Sequence, residues 1–299
     1  MLILGCSSGS LRVYESVLSA FGGTNPKQTH NPLTEHCRAA FYKTLIHIKS
    51  KEEIEIMLQG GMILAEILKK LEKEIKPGIT TWSLEEKARE LVKQYPDTEP
   101  AFLGYNGYPA VFCVSINEEI VHSLPSERKI KSGDLVSLDF GIRFKGLNVD
   151  SATTILIKPE EGDPKLGLKK ELIKITKECL DKGIRAAKTG NTIGDISSAI
   201  QKHAEKNGFS VIRDLVGHGI GKELHEEPEV PNFGVAGRGP GLKEGMVIAV
   251  EPMLSSGSYE VVEDKKTLAW KTRDNSLSAH FEHTVAITKN GPLILTFEL

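Results

Sequence analysis

Residues 134–157 read DLVSLDFGIRFKGLNVDSATTILI. Two runs of mostly apolar and β-branched residues, 134–144 and 147–157, flank the turn dipeptide Lys145-Gly146. Alternating, strand-forming segments on either side of a two-residue turn are typical of a β-hairpin. The stretch therefore predicts two adjacent antiparallel strands.

Each predicted strand carries an aspartate inside its apolar run. In the register that a two-residue turn imposes, Asp139 lies opposite Ala152 and Asp150 lies opposite Gly141. Because strand side chains alternate between the two faces, the two carboxylates project from the same face as diagonal neighbours. Like charges this close repel, so we expect a shared proton or a bound cation. The alternative is a pair of solvated strand carboxylates, although aspartate is disfavoured in such runs.

A later part of the chain repeats this pattern at a constant offset. KSGDLVSLD at 131–139 and KEGMVIAVE at 243–251 both run Lys-x-Gly, apolar strand, carboxylate, with 243 − 131 = 112. KPGIT at 76–80 and KTGNT at 188–192 share that offset. The constant spacing predicts an ancient duplication in which each half has two helices followed by strands. Chance similarity between short Lys-x-Gly segments is the alternative.

Capping signals and apolar periodicity predict the remaining elements. Ser50 with Glu53 forms one capping box, and Ser83 with Glu86 forms a second. The predicted helices begin near 50 and 83, the second running towards Gln94, and span 168–187 and 195–207. The further predicted strands are 110–116, 246–251, 259–263 and 279–297, the last containing an Asn290-Gly291 turn.

The second half supplies two more carboxylates within strand-like runs, Glu251 after MVIAV and Glu282 in HFEHTVAI. If the halves pack about a pseudo-twofold axis, these converge with Asp139 and Asp150. Four negative charges call for about two divalent cations. Oxygen-rich ligation with one or two imidazoles suits Mn, Fe, Co or Zn. Two such ions about 3.5–4 Å apart can activate a water for hydrolysis.

The stretch GHGIGKELHEEP at 217–228 contains two histidines, His218 and His225. Its glycines do not follow G-x-G-x-x-G, and no Gly-Lys-Ser/Thr follows them, which argues against a phosphate loop. The zinc-helix motif HExxH is also absent. The histidines therefore need partners from elsewhere in the chain to form a site.

Six motifs in order resemble the type I methionine aminopeptidases, a family of dinuclear metallopeptidases with the pita-bread fold. They are YNGYPAVFCVSINEEIVHS, SLDFG, NVDSATT, GHGIGKELHEEP, AVEPM and LSAHFEHT. The resemblance covers residues 46–299. It implies an α+β fold in which two pseudo-symmetric αβ halves form a curved, mainly antiparallel sheet covered by helices. It also implies removal of initiator methionine from nascent polypeptides whose second residue is small.

The resemblance also implies the roles of individual residues. The ligands of two divalent ions would be Asp139, Asp150, His218, Glu251 and Glu282. Glu251 would also shuttle the proton of the attacking water, His122 would lie beside the reacting amide, and His225 would hydrogen-bond the scissile carbonyl. The methionine pocket would draw on Tyr105, Tyr108, Cys113 and Trp270, for which ordinary core packing is the alternative.

The chain departs from the family pattern at three positions. Leu224 stands where phenylalanine is usual, Ser123 where glycine is common, and His280 where glutamine is common. None of the three is an implied metal ligand, so we expect them to affect substrate preference rather than activity. The short interval between Glu251 and Glu282 leaves no room for the helical insertion of the type II enzymes.

Two other functions remain as alternatives. An aminopeptidase P or prolidase-like enzyme would share the fold and metals, but such chains usually carry a large N-terminal domain, and about 45 residues precede the matching region here. A non-catalytic pita-bread binding protein would typically have lost metal ligands, whereas all five are present.

The composition of the chain limits which partners and which cellular compartment are expected. A net charge of −2 gives no reason to expect a nucleic-acid or membrane partner. Four scattered cysteines without a CxxC pair favour reduced thiols in a cytoplasmic protein. We expect residues 1–44 to be a loosely ordered extension and residues 45–299 to be the catalytic domain. The expected partners are nascent-chain N-termini, with the ribosome as a candidate, and the expected state is a monomer.

Overall fold

The structure is a computed structural model that describes residues 46–159 and 161–297 of the chain. Within this part the chain forms four α-helices and fifteen strands. The helices are α1 (Lys51–Glu74), α2 (Thr81–Val92), α3 (Leu166–Ala186) and α4 (Ile193–Lys206). The strands are β1 (Thr98–Pro100), β2 (Cys113–Ile116), β3 (Glu119–Val121), β4 (Leu135–Phe144), β5 (Leu147–Leu156), β6 (Ser210–Val211), β7 (Gly217–Gly219), β8 (Glu226–Val230), β9 (Val247–Val250), β10 (Met253–Ser255), β11 (Val261–Glu263), β12 (Trp270–Thr272), β13 (Ser278–His280), β14 (Glu282–Thr288) and β15 (Gly291–Ile294).

The predicted hairpin is the pair β4 and β5. Asp139 pairs with Ala152 and Gly141 pairs with Asp150, so the predicted register is confirmed. The turn residue Lys145 has a φ of 47° and is followed by a glycine at 84°. Two consecutive positive φ angles are what a two-residue turn needs to match the twist of its strands. The turn therefore sets the register that places both aspartates on one face.

The main sheet has nine strands, and all of its pairings are antiparallel. Its order is β1-β4-β5-β14-β9-β7-β8, with β2 beside β4 and β15 beside β14. Two three-stranded sheets, β13-β10-β6 and β11-β12-β3, complete the β-structure. The neighbouring strands β5 and β14 join the first half of the chain to the second, so strands from both halves share one sheet.

The duplication predicted from the sequence is present in the structure. Strands β4 and β9 begin 112 residues apart, as do α2 and α4. Two isolated bridges repeat at the same offset, Thr80 with Lys129 and Thr192 with Gly241. Each half thus has two helices followed by sheet strands, and the expected α+β fold with two pseudo-symmetric halves is confirmed.

The helix starts test the capping predictions. Ser50 caps α1: its hydroxyl accepts the Glu53 N–H, and the Glu53 carboxylate accepts the Ser50 N–H, as predicted. The second predicted box is wrong, because Thr80 caps α2 and its hydroxyl accepts the Ser83 N–H at 3.1 Å. Ser83 therefore lies inside the helix, and Glu85, which follows it, is buried against the Val111 N–H. None of the helices in the described part is long and apolar enough to cross a bilayer.

Several strands differ from the predicted limits. The run 110–116 forms a strand only from Cys113, and 259–263 only from Val261. The run 279–297 is divided into β13, β14 and β15, with the predicted turn at Gly291. Strands β7 and β8 were not expected, because their glycine-rich and charged sequences lack an apolar alternation.

Each half has its own apolar core. Residues of α1 and α2 pack with β2 and β4 in one core, and residues of α3 and α4 pack with β9, β10 and β14 in the other. Gly61 on the apolar face of α1 touches the backbone of Leu295, where a Cβ would collide with the carbonyl group. The helix can therefore approach the C-terminal segment only because this position carries no side chain.

Candidate metal centre

Three adjacent strands bring three carboxylates to one face of the main sheet. Ala152 of β5 pairs with Asp139 on one side and with Glu282 of β14 on the other. Asp150 lies two residues before Ala152 and therefore shares its face. All three acidic side chains are buried. The sheet register alone thus produces a cluster of buried negative charge.

The second half contributes from β7 and from the end of β9. Glu251 directly follows β9, and His218 lies in β7. The His218 Nε2 atom is 3.6 Å from Glu251 Oε1, while its Nδ1 is 2.9 Å from the Gly219 carbonyl oxygen. Because a carbonyl oxygen can only accept a hydrogen bond, Nδ1 carries the proton of the neutral ring, and Nε2 keeps its lone pair on the side of the carboxylates.

The arrangement has the donor chemistry of a divalent metal site. Ligand atoms of Asp150, His218 and Glu282 all lie within 4.8 Å of one another. Asp139 Oδ1 and Glu282 Oε1 are buried and have no hydrogen-bond partner among the described residues. Buried carboxylate oxygens without donors are strongly unfavourable unless a cation compensates them. The residues present therefore fit a divalent metal centre.

The pKa values of the cluster also show that burying several carboxylates together is unfavourable to their charged forms. Burial, reinforced by the neighbouring carboxylates, raises the pKa of Asp139 and of Glu282 well above the ordinary range. It raises the pKa of Asp150 to about 7. Burial also acts to raise the pKa of Glu251, but the adjacent imidazoles of His280 and His218 outweigh it and lower that pKa. A divalent ion would stabilise the charged form of every member of the cluster.

Two further imidazoles border the cluster. The His225 ring lies 4.2 Å from the His218 ring, centroid to centroid, and its Nδ1 is 2.7 Å from the Tyr105 hydroxyl. His122 follows β3 in a left-handed conformation with a φ of 63°. Burial lowers the pKa of His122, and that of His218, to about 4. Both rings are therefore neutral at pH 7, which is the form that a metal-binding imidazole needs.

Among the remaining expected pocket residues, the strand pairing places Cys113 beside the carboxylates. Cys113 of β2 pairs directly with Asp139, so its thiol shares the face of the carboxylates. The Tyr108 hydroxyl lies 3.3 Å from two backbone carbonyl oxygens, those of Phe112 and Ser123. Trp270 of β12 pairs with Val121, the residue before His122. Leu224, one of the departures from the family pattern, is buried in the first core.

The expected site set omitted one residue that the structure places in the cluster. His280 Nε2 lies 3.5 Å from Glu251 Oε2 and 4.0 Å from Glu282 Oε2. The sequence signal was present, since a histidine two residues before a proposed strand ligand shares its face. In the sequence, however, His280 stands out only as a departure from the family pattern.

Comparison with known proteins identifies the family. The sequence profile of metallopeptidase family M24 matches residues 55–289. The chain belongs to metallopeptidase family M24. It is 47% identical to a methionine aminopeptidase of Clostridium acetobutylicum over 253 residues, which are 84% of this chain and 99% of the relative. It is 44% identical to methionine aminopeptidase 1 of Bacillus subtilis, with the same coverage.

Solved structures agree with this M24 assignment. A methionine aminopeptidase from Thermotoga maritima superposes with a TM-score of 0.81 at 45% identity, covering 85% of this chain and 100% of the other. A prolidase from Pyrococcus horikoshii gives 0.66 at 26% identity, and the match covers 65% of that longer chain. The M24 fold is thus shared with both groups, and the greater similarity is to the methionine aminopeptidase. The chain is a metal-dependent hydrolase.

Proposed function

We propose that this M24 peptidase removes N-terminal methionine from peptides and nascent proteins whose second residue is small. The observation that carries the proposal is the buried cluster of four carboxylates and His218, flanked by His122 and His225. The similarity to methionine aminopeptidases over nearly their full length supports the choice of substrate. The proposal extends to a monomer that acts in the cytoplasm on chains emerging from ribosomes.

The proposed ligands are Asp139, Asp150, His218, Glu251 and Glu282. Four carboxylates balance the charge of two divalent ions, for which Co, Mn, Fe and Zn are the candidates. When bound, such ions supply Lewis acidity and lower the pKa of water to near neutral. His218 is neutral at pH 7, so it can ligate without first losing a proton.

Glu251 is the proposed proton acceptor during hydrolysis. Its pKa is low compared with those of the other cluster carboxylates, so it is ionised at pH 7 and can take a proton from the attacking water. The same group can then deliver that proton to the leaving amine.

His225 is the proposed donor to the scissile carbonyl oxygen. If the Tyr105 hydroxyl donates to Nδ1, the ring proton resides on Nε2, and this is the proton proposed to be donated to the carbonyl oxygen as it gains charge. Tyr105 therefore acts by holding the tautomer of His225. His122, neutral and next to the Trp270 strand, is placed to contact the amide of the first peptide bond.

The methionine side chain would occupy a pocket formed by Tyr105, Tyr108, Cys113 and Trp270. Aromatic rings and a thiol offer the polarisable contacts that a thioether prefers. Cys113 supports this placement, because its pairing with Asp139 puts it at the edge of the metal cluster. Its pKa is raised well above the ordinary value by burial, so it remains an uncharged thiol.

The function is tested with two tripeptides and added metal. We expect methionine release from Met-Ala-Ser and little alanine release from Ala-Pro-Ala. Preferential release of alanine from Ala-Pro-Ala would instead assign the enzyme to the aminopeptidase P and prolidase group. If neither peptide is cleaved and no divalent ion binds, the chain is a non-catalytic binding protein.

A further inference from the structure

His280 is an imidazole inside the metal cluster that the proposed ligand set does not use. Its side chain is 1% exposed, and neither ring nitrogen has a hydrogen-bond partner among the described residues. Leaving a buried polar group without a partner costs about 1–3 kcal/mol. A buried imidazole whose two nitrogens lack hydrogen-bond partners is therefore expected to have another binding partner.

The backbone of His280 is fixed so that the ring is directed into the cluster. Its N–H donates to Thr154 Oγ1 at 2.9 Å, and the Thr154 hydroxyl donates to the His280 carbonyl at 2.8 Å. Pairing with Met253 holds the residue on its other side. These contacts tie His280 to β5, the strand that carries Asp150.

The distance from His280 to Glu251 matches that between two ligands of one metal ion. Its Nε2 is 3.5 Å from Glu251 Oε2, which is longer than an ordinary N–H···O hydrogen bond. Two donors bound to one ion at about 2.0–2.2 Å, with angles between octahedral and tetrahedral, lie roughly 3.0–3.6 Å apart. His218 Nε2 lies at a similar distance, 3.6 Å, from the other oxygen of Glu251. Each oxygen of Glu251 is thus flanked by one imidazole nitrogen.

We propose that His280 is a sixth protein ligand, whose Nε2 binds the ion held by Glu251 and gives the metal centre a second imidazole. This inference rests on the proposed metal centre. A neutral imidazole leaves the charge balance between four carboxylates and two divalent ions unchanged. It moves the preference of the site towards ions that favour nitrogen, such as Zn, Co and Fe, and away from Mn.

His280 is a weaker ligand than His218. The Nδ1 of His218 has the Gly219 carbonyl as a hydrogen-bond acceptor, whereas the Nδ1 of His280 has none among the described residues. Loss of such outer contacts typically reduces metal affinity by about 10–100-fold. Removing His280 should therefore weaken binding rather than abolish it.

The first test compares metal affinities of the unmodified protein and His280→Gln by competition with a chelator. We expect the Kd for Zn to rise about tenfold and the Kd for Mn to change by less than about threefold. His203→Gln is the control, because His203 pairs with Glu178 on the outer helices, at 2.6 Å, and its loss should leave both constants unchanged. Thermal unfolding of the metal-free proteins checks that the variant is folded.

The second test needs no variant. X-ray absorption of the unmodified protein with two equivalents of Zn should count about one imidazole per ion, against about one for every two ions if His218 binds alone. The lower count, or an unchanged Zn-to-Mn preference in folded His280→Gln, would overturn the assignment. Neither measurement depends on turnover, so a failure to cleave Met-Ala-Ser would reject the proposed function and leave this inference standing.

Discussion

Replacing Asp150 with asparagine should stabilise the metal-free protein at pH 8 although it removes a proposed ligand. Burial and the neighbouring carboxylates raise the pKa of Asp150 from 3.8 to about 7. A difference of about 3 units at 1.36 kcal/mol each corresponds to about 4 kcal/mol of unfavourable energy for the charged form. Asparagine has the same shape and can still accept the 2.9 Å hydrogen bond from Ser151 N–H.

The same shift predicts how stability depends on pH. Because the pKa of Asp150 is higher in the folded than in the unfolded chain, the folded protein binds more protons. The contribution of Asp150 to the free energy of unfolding of the metal-free enzyme should therefore fall as pH rises from about 4 to about 7 and stay low above it. Asp150→Asn should lack this part of the decline.

Chemical denaturation in the presence of a chelator, at pH 5 and pH 8, measures both effects. We expect Asp150→Asn to gain up to about 4 kcal/mol at pH 8 and much less at pH 5. Divalent metal should then stabilise the unmodified protein far more than the variant. Asp264→Asn is the control. The hydrogen bond with Lys271 lowers the pKa of Asp264 to about 2, so this substitution should not increase the free energy of unfolding. A metal-free Asp150→Asn protein that is less stable than the unmodified one at pH 8 would refute this reasoning.

Three further predictions follow from the same structure. His225→Ala should lower kcat by about 10²–10³-fold, because it removes the donor to the scissile carbonyl oxygen. Tyr105→Phe should lower kcat less, because His225 itself remains. An unchanged kcat for His225→Ala would show that His225 is not this donor. Gly61→Ala should destabilise the fold by about 1–3 kcal/mol, because the added methyl group would collide with the Leu295 carbonyl. Gly167→Ala in α3 is the control and should not destabilise the fold, because the space around Gly167 is open. Urea denaturation measures the free energy of unfolding of both variants. A chain truncated to begin at residue 45 should retain Met-Ala-Ser cleavage, and loss of activity in a folded truncated protein would show that residues 1–44 contribute to the site.

The hairpin shows which features could be predicted from sequence. A two-residue turn fixes the pairing of its strands, so the relation between Asp139 and Asp150 followed from local chemistry. The offset between Lys-x-Gly segments similarly predicted the two halves, because each repeat preserves a turn and a strand. The convergence of Glu282 depends on β14 pairing with β5, a long-range contact that the duplication and the family resemblance suggested but the local sequence did not.

Other features depend on tertiary context. The sequence offers two caps for α2, Thr80 and the predicted capping box at Ser83. The hydrogen bond from the Val111 N–H to the buried Glu85 carboxylate favours the earlier start at Thr80. Strands β7 and β8 pair because the glycines of GHGIG let backbones approach, which apolar alternation does not report. The predicted N-terminal extension, residues 1–44, lies outside the described residues. The proposed role of His280 as a metal ligand depends on its distance from Glu251, which the sequence does not contain.

The central claim is that Asp139, Asp150, His218, Glu251 and Glu282 bind the divalent metal with which this enzyme releases methionine. The most direct measurement determines bound metal and Met-Ala-Ser cleavage in the same samples of unmodified protein, Asp139→Ala and Glu251→Ala during titration with Mn or Co. We expect activity of the unmodified protein to rise with bound metal, and both folded variants to bind less metal and lose cleavage. Undiminished cleavage by either variant with metal supplied, or cleavage by unmodified protein without bound metal, would contradict the account.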